Sequence, residues 1–492
     1  MPNRVFILGL DCAAPELVFQ QWPHLLPNLT SLRQTGAWGR LESTIPPITV
    51  PAWMCMMTGR DPGSLGIYGF RNRRDHSYDG LQFASSKLVR EPALWDLLGE
   101  HGLQTIALGV PLTYPPRPIN GLLITDFLAP DTNADYTFPS DLKQEIKEVV
   151  GEYIFDTRQF RTDDKERLLA DIYTMTEQRF KLATHLMENK PWDLFVMIEM
   201  GPDRLHHGFW KYYDPQHPLH QPGNPLQHAI RDYYVRLDAH IGDLISHLKP
   251  DDRLIVVSDH GAKRMDGGIC FNQWLIKEGY LKLKSEPDQE CKLTPDMIDW
   301  SQTRAWGDGG YYGRLFINVQ GREPLGTVQP HSLEALKREI TEKLEQMSGP
   351  DGMHLGNKVF RPEDIYTKCS NVPPDLIVYF GDLHWRSVGS VGHNSIYTAT
   401  NDTGPDDANH AQHGIFIMKD IGSSASDAGE RTDLSIYDIA PTVLTSLGVT
   451  PPPGVGRTVV GLAGQTAHTD SDAYTPEEEA ELARRLEDLG YL

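Results

Sequence analysis

Several short runs in this chain are almost wholly apolar and are followed at once by polar residues. They cover residues 5–10, 194–198 and 253–257, and three further runs lie at 105–110, 315–319 and 375–380. Runs of this length without alternation predict strands buried on both faces, as in a parallel sheet covered by helices. Amphipathic stretches predict helices at 93–101, 172–187, 332–347, 434–447 and 475–489. The pattern predicts an α/β fold with a mostly parallel central sheet between helices.

Acidic and imidazole side chains follow three of the apolar runs. Asp11 follows the first run, and Asp259 and His260 follow 253–257. Asp203 and His207 follow 194–198 and are four residues apart, so they share one face of a helix. The carboxyl ends of parallel strands meet at one edge of a sheet, where ligands bind. These residues are therefore candidate metal ligands, and His206, three residues from Asp203, is the rival to His207.

A nucleophile candidate lies in the segment 45–53. Pro51 favours the start of a helix, which places Thr49 at or near the N-cap. Free backbone N–H groups at a helix start form a natural phosphate site. A divalent ion bound to the hydroxyl favours its deprotonated form and makes attack on phosphorus feasible. His413, just before the apolar run 415–418, is a further candidate ligand.

Together these segments resemble the alkaline phosphatase superfamily, in its type I phosphodiesterase/nucleotide pyrophosphatase branch and most closely the cytosolic phosphohydrolase/mutase-like proteins of prokaryotes. The matching pieces occur in the family's order: Asp11, 49–59, 203–207, 258–261 and 413–414. The resemblance implies an alkaline-phosphatase-like core with inserted lid or cap segments. It also implies two divalent ions, one held by Asp11, Thr49, Asp259 and His260, and the other by Asp203, His207 and His413. Thr49 would form a phospho-threonine that water then cleaves, without an organic cofactor.

The identity of the ions is left open between zinc and manganese. Ligands that are all nitrogen or oxygen suit Zn²⁺, whereas the share of carboxylates keeps Mn²⁺ as the alternative. The resemblance favours zinc for phosphodiesterases and manganese for mutases.

Four residues are candidates for substrate binding. Asn72 is the nearest match to an asparagine that contacts a phosphoryl oxygen in related phosphodiesterases, although its spacing differs. Arg71 and Lys263 carry charges that can bind an anionic group. His393 lies in the glycine-containing loop 388–409, which either lines a substrate pocket or is a hydrogen-bonded surface loop.

Changes in composition divide the chain into five segments. We expect core at 1–127, with a polar insertion or small lid at 128–171 and core again at 172–264. A second excursion, partly a cap, covers 265–374, and 375–492 completes the core and ends in a surface helix at 475–489.

The charge balance and the absence of long apolar segments narrow the choice of partners. A formal net charge of −21 without a basic stripe argues against general nucleic-acid binding, so a small phosphorylated substrate is expected. No stretch approaches the ~20 apolar residues of a membrane span. The first apolar run is too short for a signal peptide, and five cysteines without a pairing motif predict no disulfide framework. We expect a cytoplasmic protein, and the sequence leaves its oligomeric state open.

Three functions fit these observations. The leading hypothesis is a metal-dependent hydrolase that cleaves a phosphodiester or pyrophosphate through a phospho-threonine. A phosphomonoesterase or phosphomutase acting on a small metabolite is the first alternative. A non-catalytic scaffold that binds a phosphorylated ligand is the second, and the complete ligand set argues against it.

Overall fold

A computed structural model describes residues 4–423, 428–455 and 476–488. Its strands, in chain order, are β1 (Arg4–Leu10), β2 (Ala37–Glu42), β3 (Arg71–Arg73), β4 (Leu81–Phe83), β5 (Thr105–Leu108), β6 (Gly121–Ile124), β7 (Thr137–Phe138), β8 (Leu194–Glu199), β9 (Asp252–Val257), β10 (Gly261–Arg264), β11 (Gly267–Cys270), β12 (Ala305–Asp308), β13 (Gly313–Ile317), β14 (Lys358–Phe360), β15 (Leu376–Tyr379), β16 (Trp385–Val388), β17 (Tyr397–Thr398), β18 (Ala408–Ala411), β19 (His413–Asp420) and β20 (Gly429–Ser435).

The α-helices flank these strands. They are α1 (Pro27–Thr35), α2 (Thr49–Thr58), α3 (Pro62–Leu65), α4 (Leu94–Glu100), α5 (Leu142–Val150), α6 (Lys165–Asn189), α7 (Gly201–Tyr213), α8 (Ala229–Ser246), α9 (Phe271–Lys277), α10 (Leu333–Glu345), α11 (Pro362–Ile365), α12 (Ile439–Ser446) and α13 (Pro476–Asp488). Among the described residues, none of these helices combines the length and apolar character that a bilayer crossing requires.

The central sheet has β1 near its middle. Within the described residues it contains nine strands in the order β20, β2, β19, β9, β1, β8, β5, β6, β7. β1 pairs in parallel with both β8 and β9, whereas β19 runs antiparallel to its neighbours β9 and β2. The predicted mostly parallel α/β sheet is therefore confirmed, and the polar residues after β1, β8 and β9 lie at one edge.

The central strands are buried because they carry apolar side chains on both faces. All described side chains of β8 are buried, as are those of β1 beyond Arg4. Gly9 in β1 allows α2 to approach closely, since a Cβ atom there would lie 2.4 Å from the side chains of both Ile198 and Trp53. This close packing fixes the start of α2 beside the end of β1.

A second hydrophobic core lies outside the central sheet, and its buried members lie between Ile269 and Val391. It is built on the sheet β12, β13, β15, β14 and on helices α9 and α10. Most of the expected excursion 265–374 falls here, although the boundaries given for the five segments stay predictions. β13 and β15 correspond to the apolar runs 315–319 and 375–380.

Two predicted helices differ from those observed. Residues 434–435 end strand β20, and the helix that was predicted from 434 begins at Ile439. Ser435 N–H donates to Asp438 at 2.9 Å, and a single 3₁₀ turn, Ile436–Asp438, lies between the strand and the helix. α13 was expected on the surface, yet Leu482 and Leu486 are buried and Arg485 donates to the carbonyl of Phe127 at 3.1 Å.

Candidate metal and catalytic site

The ends of β1 and β9 bring Asp11, Asp259 and His260 together. His260 Nε2 lies 3.1 Å from Asp259 Oδ2 and 3.9 Å from Asp11 Oδ1. Trp53 Nε1 donates to Asp11 Oδ2 at 2.6 Å, and the backbone N–H of Cys12 donates to Asp259 Oδ1 at 3.1 Å. One oxygen of each carboxylate thus accepts a hydrogen bond, and its other oxygen faces the imidazole of His260.

Thr49 is the first residue of α2, directly after the N-cap residue Ile48. The prediction that it lies at or near the N-cap agrees with this position, although Pro51 occupies the third helical residue. Thr49 Oγ1 lies 3.3 Å from His260 Nε2. The hydroxyl therefore sits beside the Asp11, Asp259 and His260 group, at a helix start whose backbone N–H groups suit an anion.

The helix after β8 carries Asp203 and His207 on one face. His207 Nε2 lies 3.3 Å from Asp203 Oδ1, and Pro202 stands in the first turn of α7. The His206 side chain has a different partner, because its Nε2 lies 3.2 Å from the hydroxyl of Tyr234. Burial lowers the pKa of His206 to about 3, so this rival is a neutral packed ring. The geometry brings His207 to Asp203.

The third ligand expected in this group is His413, and the structure places His410 there instead. His410 Nε2 lies 3.2 Å from His207 Nε2 and 3.8 Å from Asp203 Oδ1. His413 begins β19, opposite Glu42 of β2, and lines a separate cleft. The two histidines lie in different places because they belong to different strands. His410 is in β18, which pairs with β10, whereas His413 is in β19, which joins the central sheet. The structure therefore brings His410, and not the predicted His413, to Asp203 and His207.

The cluster offers metal ligands in three overlapping groups. Asp11, Asp259 and His260 form one, Asp203, His260 and His410 the second, and Cys12, Asp203 and His207 the third, with the ligand atoms of each group within 4.8 Å of one another.

Buried carboxylate oxygens provide a test of whether a cation fits this cluster. Asp11 Oδ1 and Asp259 Oδ2 are buried, and neither accepts a hydrogen bond within the described part of the chain. Burial, followed by the charge of Asp259, raises the pKa of Asp11 well above its ordinary value. Buried carboxylates this close repel one another unless a proton or a cation lies between them. Oxygen and imidazole nitrogen atoms in this arrangement fit divalent ions.

A buried network supports His207 from the side opposite Asp203. His207 Nδ1 lies 2.7 Å from Asp406 Oδ1. Asp406 Oδ2 accepts hydrogen bonds from Arg161 at 2.7 Å, from Arg386 at 3.1 Å and from the hydroxyl of Tyr311 at 3.2 Å. This carboxylate fixes the ring so that Nε2 faces the cluster, as outer carboxylates do for metal-bound histidines.

Asn72 and Arg71, expected near the substrate, have contacts elsewhere. Asn72 Oδ1 accepts from the backbone N–H of Tyr68 at 2.7 Å, and its Nδ2 donates to the Gly69 carbonyl at 3.0 Å. Arg71 donates to Asp308 at 3.4 Å. The asparagine thus shapes its own turn, and the arginine is neutralised by an acid of the second core region.

Lys263 and His393 also have other partners. Lys263 Nζ donates to the carbonyl of Asp382 at 2.7 Å. His393 lies 2.8 Å from Ser390 Oγ and 3.0 Å from Glu290. None of these contacts, all within the described residues, joins the two side chains to the ligand cluster.

Comparison with known sequences identifies the family. The sequence model of the type I phosphodiesterase / nucleotide pyrophosphatase family matches residues 5–414, a range that includes the whole cluster. The chain belongs to this family. It is accordingly a metal-dependent hydrolase of phosphoester bonds. A search of curated protein sequences gives no significant match.

Solved structures share the fold at low sequence identity. Human ectonucleotide pyrophosphatase / phosphodiesterase 5 is 15% identical, with a TM-score of 0.52 over 92% of this chain and 97% of that one. Phosphonoacetate hydrolase from Sinorhizobium meliloti, in complex with phosphonoformate, is 16% identical, with a TM-score of 0.58 over 91% of this chain and 96% of that one. These similarities confirm the alkaline-phosphatase-like fold.

Proposed function

We propose that this enzyme cleaves a phosphodiester or pyrophosphate bond of a small substrate, with Thr49 as the nucleophile. The position of the Thr49 hydroxyl carries the proposal, because Oγ1 lies 3.3 Å from His260 Nε2 inside the ligand cluster. One divalent ion would be held by Asp11, Thr49, Asp259 and His260. A second would be held by Asp203, His207 and His410.

The chemistry proceeds in two displacements at phosphorus. Thr49 Oγ1 loses its proton and bonds to phosphorus, while the bond from phosphorus to the leaving oxygen breaks and that oxygen takes up a proton. Water then attacks the phospho-threonine, the bond from phosphorus to Oγ1 breaks, and a proton from the water returns Thr49 to its hydroxyl form. Two divalent ions, when bound, stabilise charge on the attacking and leaving oxygens. Backbone N–H groups at the start of α2 favour the phosphoryl oxygens, and Trp53 keeps Asp11 oriented through its 2.6 Å hydrogen bond.

Substitution of Thr49 tests the nucleophile. Thr49→Ala removes the attacking oxygen, so we expect kcat to fall by ~10³-fold or more, whereas Thr49→Ser keeps an oxygen and retains part of the activity. Rapidly quenched wild-type reactions should contain phosphate on the peptide that includes residue 49, detected by mass spectrometry.

Thr58→Ala is the matched control. Thr58 is also buried and ends the same helix, where its hydroxyl donates to the Met54 carbonyl at 2.7 Å. This variant should keep most of the wild-type rate. Near-wild-type turnover by Thr49→Ala, with the protein folded, would rule out covalent catalysis by this residue.

The ion pairs made by Arg71, Lys263 and Arg204 support a diester rather than a monoester as substrate. A monoester carries an additional negative charge, and arginine or lysine groups facing the phosphoryl oxygens would favour it. Arg71 pairs with Asp308, Lys263 contacts Asp382, and Arg204 pairs with buried Asp156 at 2.7 Å. A phosphomonoesterase or mutase would need such groups for its substrate.

Two substrates that share the same leaving group test the preference for a diester. With Zn²⁺ or Mn²⁺ supplied, kcat/KM should be higher for a bis-aryl phosphate than for the matching aryl monophosphate. Lys263→Ala and Arg71→Ala should leave both values close to wild type. The reverse ranking, with selective loss of monoester turnover in either variant, would favour the monoesterase or mutase alternative.

The proposal also covers the identity of the metal ion and the cellular location of the protein. We infer Zn²⁺ as the favoured ion, since six of the seven donors are aspartates and histidines, with Mn²⁺ as the alternative. Elemental analysis of the purified protein distinguishes them. A cytoplasmic location stays a prediction.

A further inference from the structure

The nucleophile and its neighbours are covered by protein. Thr49, Asp203, His260 and His410 each have 0% exposure, and His207 has 1%. A substrate must nevertheless bring phosphorus into contact with Thr49 Oγ1. Some group that covers the cluster therefore has to move when the substrate binds.

The ring of Tyr311 covers the histidines of the second ligand group. Its centroid lies 4.2 Å from that of His410, at an interplanar angle of 27°, and 4.8 Å from that of His207, at 30°. Tyr311 stands in the turn between β12 and β13, which belong to the second core region. The ligands that it covers belong to the central sheet region and to β18.

The backbone of this turn is held firmly. Gly310 N–H donates to the Ser387 carbonyl at 2.8 Å, and Asn409 Nδ2 donates to the Tyr311 carbonyl at 3.0 Å. Gly310 has a φ of +144°, and a Cβ atom on Gly309 would lie 2.6 Å from the backbone nitrogen of Gly389. Movement is therefore expected in the Tyr311 side chain rather than in the whole turn.

The side chain is held at its tip by polar groups. Its hydroxyl donates to Asp406 Oδ2 at 3.2 Å, and Arg161 donates to the same hydroxyl at 3.3 Å. Hydrogen bonds of this kind contribute about 0.5–1.5 kcal/mol each, and up to ~3 kcal/mol when one partner is charged. Binding of a substrate can offset a cost of this size.

Open space adjoins the same turn. A cavity of about 710 Å³ is lined by Asp308, Gly309 and Gly310, the three residues before Tyr311, and by Arg386. Arg386 also donates to Asp406, the carboxylate that contacts His207. Arg386 and Asp406 thus form a wall between this cavity and His207, and Tyr311 directly follows the lining residues 308–310.

We propose that Tyr311 is a specificity-determining residue. Its side chain acts as a gate between the cavity and the ligand cluster. Its ring lies over His207 and His410 before the substrate binds, and a large substituent on phosphorus displaces it towards the cavity. The proposal rests on the proposed phosphodiester hydrolysis and adds the size of the substituent as the property that is selected. A small substituent requires less displacement and is less sensitive to Tyr311.

Two diesters with the same aryl leaving group test the gate. One carries a second aryl group and the other a methyl group. Tyr311→Ala should raise the ratio of kcat/KM for the bis-aryl over the methyl aryl phosphate by about tenfold, which corresponds to ~1.4 kcal/mol. Tyr311→Phe keeps the ring but loses its tip contacts, and should change the ratio in the same direction by less.

Tyr312→Phe is the matched control, because the neighbouring tyrosine is also buried and its hydroxyl donates to the Tyr68 carbonyl. This variant should leave the substrate ratio unchanged. Equal changes for both substrates in Tyr311→Ala would identify a merely structural role and overturn the proposal.

A second measurement does not depend on turnover. Cys12 is buried, and its sulfur lies within 4.8 Å of ligand atoms of Asp203 and His207. Alkylation by N-ethylmaleimide, followed by peptide mass spectrometry, should be faster at Cys12 in Tyr311→Ala than in wild type. Buried Cys55 in α2 serves as the internal control and should not change.

The two measurements separate the two proposals. Faster labelling of Cys12 without any diester turnover would retain the gate and reject the proposed reaction. Unchanged labelling of Cys12 in folded Tyr311→Ala would reject the gate, whatever the activity.

Discussion

His410 and His413 are three residues apart and lie in different surroundings. His410 is buried, with its Nε2 against His207 and its Nδ1 2.7 Å from the Pro47 carbonyl. His413 is half-buried, in a cleft that also contains Glu42 and Lys263. This pair allows the role of one imidazole in metal binding to be tested within a single short segment.

We predict that His410→Ala lowers metal affinity and kcat/KM by at least ~100-fold, because substitutions outside the ligand shell already cost ~10–100-fold. His413→Ala should retain both values close to wild type. Elemental analysis and kinetics at fixed metal concentration check this. Loss of metal in His413→Ala but not in His410→Ala would restore the original assignment.

Most of the candidate site residues were recognisable because they come within a few residues or one helical turn after an apolar run or its first following ligand. Asp11, Asp259 and His260 follow β1 and β9, and Asp203 and His207 have helical spacing after β8. The choice between His410 and His413 depended on where β18 ends and β19 begins, and no local pattern marks that break at Gln412. Arg161 and Arg386 were not predicted as site residues, and Asp406 was considered only as part of the loop 388–409, since these segments meet only in the folded chain.

Among the helices, α1 depends on a distant acid for its start. Its N-cap residue, Leu26, has no side chain that can cap. Asp238 of α8 accepts from the backbone N–H of Asn28 at 3.0 Å and of Leu29 at 2.8 Å. One carboxylate therefore satisfies two N–H groups of the first turn and ties α1 to α8.

Asp238→Ala should lower the free energy of unfolding by about 1–3 kcal/mol, because buried N–H groups lose their acceptor. Thermal and urea unfolding, followed by circular dichroism, measure the change. Asp243→Ala, an exposed acid on the same helix, is the control and should stay within about 0.5 kcal/mol of wild type. Equal stability of the two variants would show that the distant cap is dispensable.

Helix and strand types were predicted better than their boundaries. α4 and α10 lie within one or two residues of the predicted ranges. The helix predicted from 434 failed at its start because the residues up to Ser435 pair as a strand with β2 and Ile436–Asp438 form a 3₁₀ turn. Pairing with a strand nearly 400 positions earlier has no signal in a local window.

For the whole molecule, bound ions should contribute to stability. Three buried aspartates, Asp11, Asp203 and Asp259, converge in a chain with a formal net charge of −21. A ligand that binds only the folded state at 100 times its Kd adds ~2.7 kcal/mol per site. We therefore expect Zn²⁺ or Mn²⁺ to raise the melting temperature in a concentration-dependent manner and a chelator to lower it.

Asp259→Asn provides the matched comparison, because it removes one ligand charge and keeps the shape of the side chain. Differential scanning calorimetry should record a smaller metal-dependent shift in this variant than in wild type. An identical shift in both proteins, or none in wild type, would contradict metal binding at the cluster.

The ligands of the cluster are scattered along the chain from residue 11 to residue 410, and β1, which precedes the first of them, lies between β8 and β9. During translation β1 can pair with β8 and β9 only after both have been synthesised, and His410 is synthesised about 400 residues after Asp11. A complete set of donors is therefore never present on a short nascent chain. Loading of the ions becomes a late event in biogenesis, so partially synthesised or truncated chains have neither the finished ligand cluster nor the stabilisation that bound ions provide.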